Sequence, residues 1–226
     1  MEDVEECFLD AIQQVYDQGS TTLHFSFKET LTSIPPAIKA LRGTLEVLHV
    51  DNNYSLKTLS PAIGDLGRLR WLNASYCRLT SVPMELGRLS HLERLHLGNN
   101  LLDSLPMEFW QLKNLEELRV ENNRLSLLPG GLLFLPRLKT LMLENNPLLV
   151  PEEVNGAAPT SLVPPLLSVD CSNCCVRMRN YEVFITFHNK AGHQMIPFMH
   201  CVCSSVCRHH LQVRLEECGI VRDLCK

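Results

Sequence analysis

No stretch of this 226-residue chain approaches the roughly 18–20 consecutive apolar residues of a membrane-spanning helix. Positive charge is missing from the start: residues 1–19 hold six acids and no Lys or Arg. That rules against the basic opening of a secretory signal and against an Arg-rich transit peptide. A soluble, cytoplasmic protein is therefore expected; a cytoskeletal, ciliary or organellar assembly is compatible with the same composition. A basic excess is also lacking. The net charge is −4, which argues against a general nucleic-acid binder. Cysteine is nearly absent from the first 170 residues, which hold two of the ten; the other eight fall within 171–226. In a chain without an export signal such a cluster reads as metal binding rather than as a disulfide framework. For the same reason the two matches to the glycosylation acceptor, at Asn53 and Asn73, are discounted.

What the chain does have is an evenly spaced leucine. Leu69, Leu92, Leu115 and Leu138 stand 23 residues apart, and around each the same phrase returns, as in "LERLHLGNN" and "LEELRVENN". This is the L-x-x-L-x-L-x-x-N-x-L pattern of a leucine-rich repeat. It predicts an α/β solenoid of about six repeats, beginning near Ser20, Leu45, Leu69, Leu92, Leu115 and Leu138. The leucines should face inward as a continuous ladder. The Asn column reads Lys28, Asn53, Cys77, Asn100, Asn123 and Asn146. An amide there can satisfy backbone groups at the turn, and Cys is an accepted substitute. Lys28 is not, so the first repeat should be irregular, and Cys77 should be structural rather than reactive. The second half of each repeat, for example "VPMELGRL" and "LPMEFWQL", starts on a proline whose fixed φ suits the first helical position. Short helical or extended segments on the convex side are expected.

Residues 1–19 read as a capping helix, with Val4, Phe8, Ile12 and Val15 on one stripe and Gly19 placed to end it. Repeats should occupy 20–149, a linker with five prolines 150–170 and its approach from Pro147, and a Cys-rich module 171–226. Within that module "YEVFITFH" (181–188) and "MIPFMHCVC" (195–203) read as strands around a turn at 189–192, with Pro197 tolerated near a strand start or at an edge. A helix broken by Gly219 should follow.

The strongest chemical signal is the pair Cys171-x-x-Cys174 with Cys203-x-x-x-Cys207. Zinc takes four tetrahedral thiolate or imidazole ligands. A hairpin between the two pairs would bring them together as a zinc-ribbon-like module, with a closed structural site. Cys175, Cys201, His200 and His209 are alternative ligands, and free buried thiols are the non-metal reading. "HCVCSSVCR" (200–208) does not make a phosphatase loop, because its Arg stands one residue too far from Cys201 and no glycine relaxes it. No catalytic residues, small-molecule substrate or membrane partner are expected.

The second constellation is the inner curve. Reading outward-facing positions of successive repeats brings His49, Trp71, Tyr76, Arg94, His96 and Arg119 near one another. Aromatic and Arg side chains are the usual anchors of protein interfaces. From Leu45 onward the surface columns hold seven acids and four bases, a net of −3. A protein partner with a mildly basic segment is therefore expected.

Residues 45–149 resemble the intracellular leucine-rich repeats of the 23-residue class, as in Ras-pathway scaffold proteins. In the tail, "CSNCCVRMRN" and "MIPFMHCVCSSVC" resemble the C-terminal ends of leucine-rich repeat-containing proteins 28 and 58. The resemblance implies a non-enzymatic adaptor or scaffold subunit of a larger intracellular assembly. For the second relative it implies a substrate receptor docking on elongin and cullin of a ubiquitin ligase. The nearest match to that docking helix, "SLVPPLLSVD", carries Pro164 and Pro165, which oppose a helix. A third reading is nucleic-acid binding through the tail, which has a net charge of +3.

Overall fold

In the computed structural model the described residues are 4–28 and 30–148, together with the backbone of strands at 169–170, 177–178, 182–190 and 193–202. Helix α1 spans Val4–Asp17 and buries Phe8, Ile12 and Val15. Phe8 meets Phe25 edge to face, with ring centroids 4.7 Å apart, so the helix sits on the first coil. Gly19, at φ 61°, takes the left-handed conformation just beyond the helix end.

Six three-residue strands follow at repeat spacing: β1 (Thr22–His24), β2 (Val47–His49), β3 (Trp71–Asn73), β4 (Arg94–His96), β5 (Glu117–Arg119) and β7 (Thr140–Met142). They form one parallel sheet in that order. The register pairs Leu23, Leu48, Leu72, Leu95, Leu118 and Leu141 in one row. All six are buried, and they belong to a single core that runs the length of the coils. A strand residue on one side of its backbone is hidden, so its neighbours on either side must point away from the core. Leu69, Leu92 and Leu115 are fully buried. Leu138, in the last coil, is only partly so.

The first five coils return through short 3-10 helices: η1 (Pro36–Leu41), η2 (Pro61–Asp65), η3 (Met84–Arg88), η4 (Met107–Gln111) and η5 (Gly130–Phe134). Proline starts each of them, at the first position in η1 and η2 and as the extended residue before the helix in η3, η4 and η5. The coils approach so closely here that a Cβ on Gly64 or Gly87 would collide with Glu85 or Glu108 of the next coil.

What closes four of the six turns is an asparagine. The Asn100 amide donates to Ala74 O and Leu97 O at 2.9 and 3.0 Å, and its oxygen accepts from Leu79 N at 3.0 Å. Asn53, Asn123 and Asn146 bond in the same way, each tying its own coil to the one before. Cys77 stands in the same column and offers its thiol to Val50 O at 3.4 Å. Burial pushes that thiol up to about 11, so it is protonated and unreactive at neutral pH. At Lys28 the backbone N–H instead donates to Asn53. The first coil thus lacks the amide and borrows the next one.

Between β5 and β7 the chain adds a two-residue strand, β6 (Leu128–Pro129). Strands β8 (Val169–Asp170) and β9 (Arg177–Met178) pair antiparallel. Strands β10 (Glu182–Lys190) and β11 (His193–Val202) form an antiparallel hairpin with an irregularity between His188 and Lys190. β11 also lies parallel to β6, pairing Phe198 with Leu128 and Met199 with Pro129. The hairpin therefore joins the side of the fifth coil away from the six-stranded sheet. The strands are longer than the sequence suggests, taking in Asn189 and Lys190 from the expected turn. Pro197 lies mid-strand opposite Phe187, one residue before the pairing with β6 begins. Of the expected linker (150–170), the last two residues form β8; residues 150–168 and the expected C-terminal helix fall outside the described residues.

The fifth coil explains where the hairpin attaches. At the convex positions where other coils carry Glu85, Arg88 and Glu108, it carries Gly131, Phe134 and Gly131 again in register, and Leu127, Leu128 and Leu133 around them. Leu127, Leu128 and Leu133 are buried. Gly131 has no room for a Cβ because Trp110 of the preceding coil lies against it.

Replacing Asn123 by Ala should lower the unfolding free energy by about 2–3 kcal/mol, since it leaves buried backbone groups on two coils unpaired. Urea denaturation measures this; a loss under about 0.5 kcal/mol would show that the amide ladder is dispensable.

Candidate partner-binding face

The residues flanking the leucine row form the face of the sheet turned away from the core. Down its centre runs a line of rings. His24 and His49 stack in parallel with centroids 4.7 Å apart. His49 meets Trp71 edge-on at 4.6 Å, and Trp71 meets His96 at 5.8 Å. Successive strands supply these rings, and parallel pairing brings Trp71 opposite Arg94 and Asn73 opposite His96. The Arg94 guanidinium lies over the Trp71 ring at 5.4 Å, a cation–π distance. The Trp71 indole N–H is buried and has no hydrogen-bond partner among the described residues.

Beyond His96 the line becomes ionic. His96 Nε2 lies 3.3 Å from Glu117 Oε1, close enough for ion pairing but without hydrogen-bond geometry. Arg119 donates to the same Glu117 oxygen. Burial works against the Glu117 charge, but the Arg119 hydrogen bond and the His96 and Arg119 charges prevail, and its carboxyl titrates below the usual range. At the other end His49 Nδ1 is 3.7 Å from Asp51.

Five of the six expected partner-binding residues thus belong to one continuous row: His49, Trp71, Arg94, His96 and Arg119. Tyr76 does not lie in it. It follows the strand by three residues and sits in the turn, at φ 56°. The turn column has left-handed backbone, which the sequence pattern of alternating positions does not reveal. Three members of the row were not among the expected residues. Glu117 stands in the same column as Trp71 and Arg94, and His24 lies in the first coil, ahead of Leu45. Asp51 lies two residues after His49 in the same coil. All three follow once the columns are extended to Ser20 and opposite charges are matched within and between coils.

The edge before the strands is a ladder of ion pairs between coils. Arg70 binds Glu93 at 2.6 Å, and Lys139 binds Glu116 at 2.8 Å. These are exposed pairs that neutralise one another, and they contribute little to stability. Of the two glycosylation-like asparagines, Asn53 is buried and donates to two carbonyls, so it is inaccessible in the folded chain. Asn73 lies on β3 and its side chain accepts from Ser75 N.

Among the described residues no group of three or more His, Cys, Asp or Glu is placed to hold a metal. Cys171, Cys174, Cys203 and Cys207 lie outside the described residues. No helix among the described residues is long and apolar enough to cross a membrane.

The family model of the leucine rich repeat matches residues 68–125 and 90–148. Residues 68–148 are leucine-rich repeats. The strand register carries the same coil geometry back to Thr22. No curated protein matches the chain. Among solved structures, a leucine-rich repeat protein of Leptospira interrogans is 30% identical, with a TM-score of 0.52; the match covers 63% of this chain and 41% of that one. YopM from Yersinia enterocolitica is 26% identical, with a TM-score of 0.52, and the match covers 64% of this chain and 29% of YopM. The chain therefore spans less than half the length of either.

Burial, and then the neighbouring His24, hold His49 below its ordinary value against the pull of Asp51. Burial likewise lowers His96, against the pull of Glu117. A histidine lowered in the folded state binds its proton first in the unfolded chain. The stability it contributes is complete above the unfolded value of 6.5 and falls as pH drops through that value toward the folded one. The urea midpoint should therefore fall between pH 7.5 and 5.5. It should fall less in the double variant His49→Gln, His96→Gln, whereas equal falls in both proteins would remove the histidines as the cause.

Proposed function

We propose that this chain is a non-enzymatic protein-interaction module, serving as a scaffold subunit of a larger cytoplasmic assembly. The partner is a protein, received on the inner curve of the repeats. The observation that carries this reading is the ring-and-guanidinium centre at Trp71 and Arg94. A half-buried tryptophan with an unpaired indole N–H, flanked by two histidines and capped by an arginine, is costly in an idle surface. Desolvated aromatic and Arg side chains are what interfaces concentrate. The excess of acid around them favours a partner segment with a mild positive charge.

The leucine-rich repeat architecture supports a binding role, because it spends its apolar residues on the ladder and leaves one whole face of the sheet free. In this reading α1 covers the apolar end of the first coil. The tail, whose sequence is similar to leucine-rich repeat-containing proteins 28 and 58, holds a structural zinc on Cys171, Cys174, Cys203 and Cys207. Four protein ligands close the ion's coordination and stabilise a module too small for a core of its own.

Affinity purification followed by mass spectrometry tests the first part. Trp71→Ala combined with Arg94→Ala should remove at least one partner recovered by the unaltered chain, and recovery of every partner by the variant would end the proposal. Elongin or a cullin among those partners would assign the module to a ubiquitin ligase as a substrate receptor. Metal analysis of protein never exposed to chelator tests the second part. About one equivalent of zinc is expected, and a content below half of that would overturn the tail assignment.

A further inference from the structure

Beside the inner curve runs a rim with its own chemistry. The N–H groups of Phe27, Asn52, Tyr76, Asn99 and Asn122 donate to carbonyls of Asp51, Ser75, Gly98, Glu121 and Glu144 in the following coils, at 2.8–3.3 Å. These bonds stack the donors, with Asn145, into one column at the left-handed turn, with φ between 54° and 60°. Four members are Asn, which tolerates this conformation because its short polar side chain bonds locally. Two are Phe27 and Tyr76, for which it is unfavourable. Neither recovers the cost by burial: Phe27 is 70% exposed and Tyr76 52%. Tyr54, 55% exposed, stands beside them with its hydroxyl donating to Asn52 Oδ1 at 3.4 Å. Strained aromatics held in water by the first three coils mark a surface selected for contact, since the asparagine used elsewhere in the column would serve the fold better.

Spacing and charge identify the occupant. Adjacent coils are about 4.8 Å apart, so Phe27 and Tyr76, two coils apart, stand about 10 Å from one another. One turn of a polyproline II helix is three residues and about 9.3 Å. Prolines three residues apart would meet the two rings in step. Such a segment has few N–H groups to satisfy and many carbonyls, and the rim offers it the Tyr76 hydroxyl and the second amide N–H of Asn52, whose first is held by Asp51. The column just before the aromatics reads Ser26, Asp51, Ser75, Gly98, Glu121, Glu144, with three acids and no base. Within it Glu121 Oε2 is buried and lacks a hydrogen-bond partner among the described residues, and the carboxylate occupies the space that the missing side chain of Gly98 leaves. That acid end complements a Lys or Arg.

We propose that this rim binds an extended protein segment with prolines at three-residue spacing, followed toward the last coils by Lys or Arg. The inference goes beyond the inner-curve reading: it adds a second contact surface on the rim, separate from the centre at Trp71 and Arg94.

A displayed library of random 16-residue peptides, panned against the full chain, tests it. The double variant Phe27→Asn, Tyr76→Asn restores the residue common to the column and should raise the Tm, so loss of binding cannot be ascribed to unfolding. Enriched peptides should carry the proline spacing with a basic flank, bind the double variant at least tenfold more weakly, and bind Trp71→Ala within twofold of the unaltered chain. Peptides without that spacing, or no enrichment at all, overturn the proposal. So do peptides weakened by Trp71→Ala but not by the double variant, an outcome that leaves the inner curve as the binding face and the module reading intact.

Discussion

The turn that ends each strand sets the terms for everything else. To coil rather than run on, the backbone must leave the sheet sharply, and it does so through one left-handed residue per coil. That bend strands carbonyls and amides inside the solenoid, where water cannot reach them, and an unpaired buried polar group is costly. In four of the six turns an asparagine amide resolves this by donating to two carbonyls and accepting one N–H across coils. The amide also fixes the coil-to-coil register, because its partners belong to its own coil and to the one before. Leucines can then stack in rows because the turns already place them.

With the leucines committed inward, the flanking strand positions are released from the core and can carry chemistry. The inner curve uses that freedom for His24, His49, Trp71 and His96, whose rings touch from coil to coil. The same logic works in reverse on the convex side. Most convex positions are polar, but the fifth coil replaces them with Gly, Leu and Phe, and there the hairpin of β10 and β11 pairs along β6. The molecule thus lines the inner face of its sheet with rings and charged groups and gives one patch of the convex side to its own hairpin.

Much of this was open to reading in the chain. The buried leucine row, the Asn column with Cys77 as its substitute, and the proline-led return segments all follow from period and residue type. So do five of the six residues now found in or beside the ring row. Other features were not legible for physical reasons. Tyr76 looks like a strand neighbour in a column count, but the backbone has already turned left-handed there. The attachment of the hairpin to coil five required noticing that Gly131 and Phe134 break a polar column, a signal present in the sequence but meaningful only if something covers it.

The sequence by itself determined the coil, since a 23-residue period of leucine and asparagine has one low-energy arrangement: local apolar burial with the turn amides paired. Only the tertiary structure decided which side chains become neighbours. Trp71 reaches His49 and His96 because strands 23 or 24 residues apart pair in parallel register, and Phe27 shares a rim with Tyr76 for the same reason. Contacts of that kind depend on the stacking of coils, which no local run of residues encodes.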